Sequence, residues 1–357
     1  MAAATVREPR SESSRIHGLA WLAWLVAVLT LTTLTRNPWY LGLMLTWLAV
    51  VDAVARRQPV TGRTAQLWSP LRFGLFVVPI AALFNGATVH VGATVLARLP
   101  QSWPLLGGPV TLEAFVYGGL NGLALTGIFA AFTVVNRMLP VREIIQLIPR
   151  AYYPVAVVAA IALTFVPVTL VQLRQIREAQ AVRGHRLAGV RSWLPLWLPL
   201  LTGGLERALQ LAEAMTARGF AAGDDAPDGW TRVAALVGLP LALAGLLLRT
   251  VWAQGALGLV LLVTGTGLVV VAIVVAGRRH PHTRYRPAAW QLHDWVVTGS
   301  ALAAAGLWAL PLALPEQATL AFSPYPRLLL PGFGPVMGMA TWALLAPVVV
   351  WLAAPAR

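Results

Sequence analysis

Long charge-poor runs alternate with short polar turns along most of this chain. A hydrocarbon core of about 30 Å needs about 20 apolar residues in helical form. Eight runs approach that length: roughly His17 to Thr35, Pro38 to Ala55, Leu71 to Val91, Thr111 to Val135, Val233 to Leu248, Val251 to Ala276, Trp295 to Leu314 and Val336 to Ala353. The pattern predicts an all-α integral membrane protein, a polytopic helical bundle of about 8 spans. Arg36-Asn37-Pro38 separates the first two runs and Arg249-Thr250 the fifth and sixth. Trp39 and Trp252 beside these turns suit the headgroup level, where an amphipathic ring sits well.

A ninth run, Ala151 to Val171, is also apolar, and charge decides how it is read. With the N-terminus in the cytoplasm, eight spans leave Arg36, Arg98, Arg249 and Arg327 outside and the other 23 arginines inside (27 minus 4). A ninth span would move Arg174, Arg177, Arg183, Arg186 and Arg191 outside, against the positive-inside bias. The expectation is a helix lying on the inner membrane face, broken near Pro149 and Pro154 and bent near Pro167, because proline removes a helix hydrogen bond. The chain then divides into N-terminal membrane helices (1–137, about four spans), cytoplasmic or interfacial amphipathic helices (138–230) and C-terminal membrane helices (231–357, about four spans).

Composition agrees with a multi-pass protein of the cell membrane, its N-terminus and middle segment cytoplasmic. Hydrophobic residues make up 58% and charged residues 11%, with mean hydropathy +0.70, more apolar surface than a soluble globule buries. The net charge of +14 comes from arginines scattered between apolar runs, which fits membrane sidedness and not nucleic-acid binding. There is no cysteine, hence no disulfide framework or thiolate site. There is also no lysine, so the chain has no P-loop of its own.

The middle segment carries a duplicated motif. Arg177-Glu178-Ala179-Gln180-Ala181-Val182-Arg183-Gly184 is followed about 35 residues later by Glu213-Ala214-Met215-Thr216-Ala217-Arg218-Gly219-Phe220. At helical spacing Gln172, Ile176, Ala179 and Arg183 form one stripe, and Arg207, Leu211, Ala214 and Arg218 another. In the second helix Leu205, Ala208, Leu209, Ala212 and Met215 form an apolar stripe against Glu206, Gln210 and Glu213. Gly184 and Gly219 are placed to end the helices in the left-handed conformation, with an arginine beside each negative helix end. Ala181 and Ala217 keep each tip slim. The guanidinium then offers five donors in a planar fork to carboxylates or carbonyls of a partner.

On these residues the chain resembles the transmembrane T component of energy-coupling factor (ECF) transporters, with further support from Arg36-Asn37-Pro38 and from Leu147-Ile148-Pro149-Arg150. The resemblance implies that Ala181, Arg183, Gly184, Ala217, Arg218 and Gly219 couple to two ABC-type ATPase subunits. Arg177, Gln180, Arg207, Glu213 and Met215 support the coupling helices. It further implies a small membrane S component that binds a vitamin or transition-metal ion and reorients on ATP hydrolysis. ATP and Mg then belong to the partner ATPases, and this chain is a non-catalytic subunit with no catalytic or metal-binding residues. Val182 replaces the alanine usual before the first arginine, and the C-terminal membrane part is longer than in a compact T component.

Other constellations read as structural. His280-Pro281-His282 lies in a basic loop without a third ligand. Glu113, Asp52 and Asn85 are polar groups near span ends, and Gly118, Gly122 and Thr126 form a small-residue stripe suited to close helix packing. An ion-gradient-driven secondary transporter, which calls for ionisable groups deep in several spans, and a multi-span membrane enzyme stand as alternatives.

Overall fold

The computed structural model describes residues 16–58, 68–98, 100, 107–184, 193–220, 229–251, 255–278, 290–310 and 314–353. The basic N-terminus to Arg15, Arg186, Arg191, the Asp224-Asp225 turn, Trp252 and the His280-Pro281-His282 loop lie outside them. The helices are α1 (Gly18–Leu34), α2 (Pro38–Ala55), α3 (Pro70–Thr88), α4 (Leu112–Met138), α5 (Val141–Gln146), α6 (Tyr153–Val182), α7 (Leu194–Ala217), α8 (Gly229–Thr250), α9 (Gly255–Arg278), α10 (Leu292–Ala309), α11 (Pro335–Ala340) and α12 (Ala346–Ala353). Two short antiparallel strands, β1 (Val95–Arg98) and β2 (Pro109–Thr111), pair between α3 and α4.

This is an all-α multi-pass membrane protein. Among the described residues seven helices are long and apolar enough to cross a bilayer: α2, α3, α4, α6, α8, α9 and the interrupted stretch Pro335–Ala353. The set differs from the eight runs expected from sequence. α1 is shorter, at 17 residues, and α10 opens with His293 and Asp294, which lower its hydropathy. The run placed on the membrane face belongs to the set, because α6 is one unbroken helix of 30 residues. Pro154 does not break it, sitting in the first turn where its missing N–H is not needed. The last run is not a single helix: a 3-10 segment, Thr341–Leu345, separates α11 from α12.

The chain packs as two compact units, residues 1–144 with 286–357 and residues 145–285. In the first, α1 and α2 meet α4, α10 and the C-terminal helices around Trp21, Trp24, Leu31, Tyr40, Met44 and Leu48, all buried. Asn37, fully buried, caps α2 by accepting the Trp39 N–H at 3.0 Å and donates to the Thr319 carbonyl at 2.9 Å and the Gly332 carbonyl at 2.7 Å. Arg36 closes α1, donating to the Thr32 and Thr35 carbonyls at 3.1 and 2.9 Å and to Asn121 Oδ1 at 2.7 Å. Arg36-Asn37-Pro38 is therefore a clasp that ties the first helix turn to α4 and to the C-terminal segment.

The contacts of this unit sort its residues to two ends. Asp52 pairs with Arg56 at 2.6 Å and with Arg137 at 3.4 Å, so the C-terminal ends of α2 and α4 are together. His17 N–H donates to Asp294 at 2.7 Å, and the Trp21 and Trp351 rings lie 5.7 Å apart, joining the starts of α1 and α10 to the end of α12. At the opposite end Glu113 is buried and accepts the Thr94 N–H at 3.0 Å, while Ala93 N–H donates to the Pro326 carbonyl at 3.0 Å. Asn85 donates to the Ala114 carbonyl at 2.6 Å. The stripe on α4 packs on α3 as its residue sizes suggest: a Cβ at Gly118 or Gly122 would strike the α3 backbone, and Thr126 fills the space beside Gly74.

In the second unit α8 and α9 form a helix pair of closest approach. Gly238 lies against Gly265, and Gly245 against Gly258 and Leu262, backbone to backbone. Small residues allow this contact where no hydrophobic force drives helices together in lipid.

Two outcomes test the packing. Asn37→Ala leaves the Thr319 and Gly332 carbonyls without their donor and removes a cap, a loss of about 1–3 kcal/mol, whereas Asn37→Asp keeps the cap acceptor but sets a fully buried carboxylate against those two carbonyl oxygens. Thermal unfolding in detergent should place both variants below wild type, with Asp no more stable than Ala. Gly245→Val should lower Tm clearly by overpacking, at about 1–3 kcal/mol or more, while Gly267→Val, with open space at its Cβ, should leave Tm within error.

Candidate functional site

The duplicated motif ends two long helices of the second unit. α6 runs through Gln172, Ile176 and Ala179 to Val182, and Arg183 follows with φ −78 and ψ 7. α7 runs to Ala217, and Arg218 takes nearly the same conformation, φ −90 and ψ 6. Gly184 and Gly219 then reverse the chain at φ 80 and φ 76, a region where a Cβ would clash. At the second tip Phe220 N–H donates to the Met215 carbonyl at 2.9 Å and Gly219 N–H to the Thr216 carbonyl at 2.9 Å. This is the Schellman pattern of a glycine-terminated helix. At the first tip Gly184 N–H reaches the Ala181 carbonyl at 3.0 Å, the matching inner bond. Two sequence-distant segments thus share the left-handed glycine and the inner bond of the cap.

Ala181, Arg183, Gly184, Ala217, Arg218 and Gly219 are all exposed. Among the described residues neither Arg183 nor Arg218 makes an ion pair or side-chain hydrogen bond, so both guanidinium groups are open to a partner. Arg177 and Glu213 are exposed along the helices, while Gln180 and Met215 are half-buried. Arg207 is not part of a tip. It is half-buried, and its Nε donates to the Gly203 carbonyl one turn back at 2.9 Å.

Two contacts fix how the helices run. Gln172 of α6 lies on Gly203 of α7, where an added Cβ would meet its amide nitrogen at 2.5 Å. The rings of Tyr153, at the start of α6, and Phe220, just past α7, are 6.5 Å apart. The C-terminal half of α7 therefore follows the N-terminal half of α6 backwards, and the two arginine tips point away from each other. At 1.5 Å per residue Arg183 is about 16 Å and Arg218 about 22 Å from the crossing. The tips are separated by a length on the order of one globular domain. Neither Gly203 nor Tyr153 was selected from sequence; the Gly203-Gly204 pair inside an amphipathic helix was the available signal for a close crossing.

The apolar stripe expected to face inward on α7 is not covered within the unit: Leu205 is 64% and Leu209 57% exposed. α6 likewise has no buried residue among those described, although its apolar window averages a hydropathy of 2.4. Both helices present uncovered apolar surface along with charged tips.

Comparison with known proteins matches residues 10–228 to the CbiQ family model, described as cobalt transport protein. The match takes in α1 to α7 and both arginine tips. The chain is 28% identical over 160 residues to the energy-coupling factor transporter transmembrane protein EcfT of Leuconostoc gelidum subsp. gasicomitatum, covering 43% of this chain and 52% of that one. It is 28% identical over 187 residues to EcfT of Lacticaseibacillus paracasei, covering 51% of this chain and 61% of that one. With EcfT of Heliobacterium modesticaldum it shares 38% identity over 88 residues, or 23% of this chain and 32% of that one. The chain spans about half the length of the first of these curated relatives. As the family model covers 219 of 357 positions (10 to 228), the chain belongs to the CbiQ cobalt transport protein family, the membrane T components of energy-coupling factor transporters.

Proposed function

We propose that this chain couples ATP hydrolysis by two ABC-type ATPase subunits to the reorientation of a small membrane S component, for uptake of a vitamin or a transition-metal ion. ATP and Mg are held by the ATPases. The observation that carries the reading is the pair of arginine tips at the ends of α6 and α7, each followed by a left-handed glycine, without a side-chain partner among the described residues, and pointing apart. Each tip suits one groove, and their separation suits two neighbouring subunits in place of one. The planar fork of each arginine binds carboxylates or carbonyls at the groove, and the glycine cap holds its direction.

The same geometry favours α6 and α7 lying along the inner membrane face. Were α6 to span, α7 would run beside it and carry Glu206, Arg207 and Glu213 into the bilayer. Such residues cost about 2.5–3.5 kcal/mol each at mid-depth by insertion scales. Arg183 and Arg218 would also emerge on opposite faces, where only one could reach a cytoplasmic ATPase. Lying flat, the pair keeps both tips on one side and turns its uncovered apolar residues to lipid and to the S component. By the positive-inside bias the first unit has Arg56, Arg57, Arg72 and Arg137 at its inner end and Arg36, Arg98 and Arg327 at its outer end, with the N-terminus cytoplasmic.

Arg183→Ala or Arg218→Ala should each reduce uptake by about tenfold or more, as loss of a buried interface anchor does. The double variant should insert normally yet recover no ATPase in a mild-detergent pull-down from its native membrane; full ATPase recovery and wild-type uptake would sink the coupling role. Arg→Lys at either tip should also impair uptake, since an ammonium lacks the planar fork. Gly219→Ala forces a Cβ into the left-handed region at about 1–2 kcal/mol and should lower uptake several-fold, while Gly204→Ala, with nothing within 4 Å of its Cβ, should match wild type.

A further inference from the structure

The loop between α10 and α11 holds a row of leucines away from the protein. Leu328 is 46%, Leu329 71% and Leu330 96% exposed, and Arg327 before them is exposed and makes no ion pair among the described residues. The loop is fastened on both sides of the row. Pro326 accepts the Ala93 N–H at 3.0 Å, Gly332 accepts Asn37 at 2.7 Å, and Gly334 N–H donates to the Tyr40 hydroxyl at 2.8 Å. The Phe333 ring packs 5.4 Å from that of Tyr40. With these ties in place the leucines cannot turn inward, and an arrangement that fixes three apolar side chains outward is costly in water.

Their depth is set by the same bonds. Gly332 is tied to Asn37, the cap of α2, at the level of Trp39, which is 57% exposed and amphipathic. The loop therefore lies where hydrocarbon gives way to headgroups. The neighbouring strand β1, tied to the loop through Ala93, adds exposed Val95 and Leu96 followed by exposed Arg98. Twice in one patch, apolar side chains stand beside a guanidinium that has no partner among the described residues, the pairing that acyl chains and phosphates accommodate together.

We propose that Arg327–Leu330, with Val95–Arg98 beside it, is an anchor seated in the outer leaflet, its leucines among the acyl chains and its arginines at the lipid phosphates. Only the word outer rests on the orientation given above; seating in a leaflet does not depend on the coupling role. Such an anchor fixes the depth of the α1–α2 turn and of the C-terminal helices it is tied to.

The absence of cysteine allows a direct test with the full chain. Leu330→Cys, and separately Leu329→Cys, are labelled with bimane and placed in phosphatidylcholine nanodiscs with and without acyl-brominated lipid. Brominated lipid should cut emission about twofold or more at both sites while aqueous iodide has little effect. Adding Arg327→Gln to the Leu330→Cys chain should reduce the bromine quenching by about half. Strong iodide quenching without bromine quenching at both sites would place the row in water, and protection from both quenchers would place it against protein; either result overturns the proposal. An unchanged depth in the Arg327→Gln chain overturns the phosphate contact. None of these readouts depends on ATPase binding, so failure here and failure of the tip variants are separate results.

Discussion

In the hydrocarbon core no water is available to satisfy an N–H or a carbonyl, so every departure from regular helix must find a partner inside the protein. At three places among the described residues of the first unit regular helix is interrupted and a polar side chain fills the gap. At the α1–α2 turn Arg36 takes the last carbonyls of α1, and Asn37 takes those of Thr319 and Gly332 in the C-terminal segment. Before α4 Glu113 receives the Thr94 N–H. Where the last run is interrupted, the indoles of Trp24 and Trp308 donate to the Leu344 and Met337 carbonyls at 3.0 and 3.3 Å. These bonds join the C-terminal segment to α1 and α2, so the C-terminal helices are part of the body that α1 and α2 form.

The second unit shows two opposite ways of pairing helices. α8 and α9 approach until backbone meets backbone at four glycines, an arrangement that tolerates little sliding. α6 and α7 touch mainly at Gln172 on Gly203 and at Tyr153 near Phe220, and α6 buries none of its described residues. Local stability follows such packing, so the arms are the part of this unit best able to change their crossing while each helix stays intact. The proposed coupling role calls for stiff rods and a soft pivot: continuous helices ending at left-handed glycines suit the first, and the crossing at Gln172 and Gly203 suits the second.

Much of this was legible in the sequence because the signals are local. The bounds of α2, the left-handed Gly184 and Gly219, and the close packing of Gly118 and Gly122 on α3 follow from short-range pattern and from residue size. What escaped depends on residues far apart in the chain. The fate of Ala151 to Val171 illustrates this: proline suggested breaks near Pro149 and Pro154, and the structure has the first, between α5 and α6, but runs on unbroken past Pro154, which falls in the first turn of α6. Hydropathy of α6 by itself then suggests a span. Its antiparallel partner α7, with Glu206, Arg207 and Glu213 alongside, is what supports the proposed placement of the pair on the membrane face. The interruption between α11 and α12 was invisible for a related reason, since Trp24 and Trp308, which accept its cost, lie far away in sequence.

In the proposed orientation, each arginine at the outer end needs a reason to be there. Arg36 is held by the last carbonyls of α1, where a cation complements the negative helix end, and its Nε reaches Asn121. A lysine there would lack the fork that binds several acceptors at once. Arg327 and Arg98 have no such internal partner among the described residues, and both adjoin exposed apolar side chains. A guanidinium without a partner among the described residues, beside exposed leucines, matches a neighbour that is anionic at one level and apolar just beneath it. A lipid leaflet has that structure, and the proposed anchor would give arginines at this end of the first unit a place to bind.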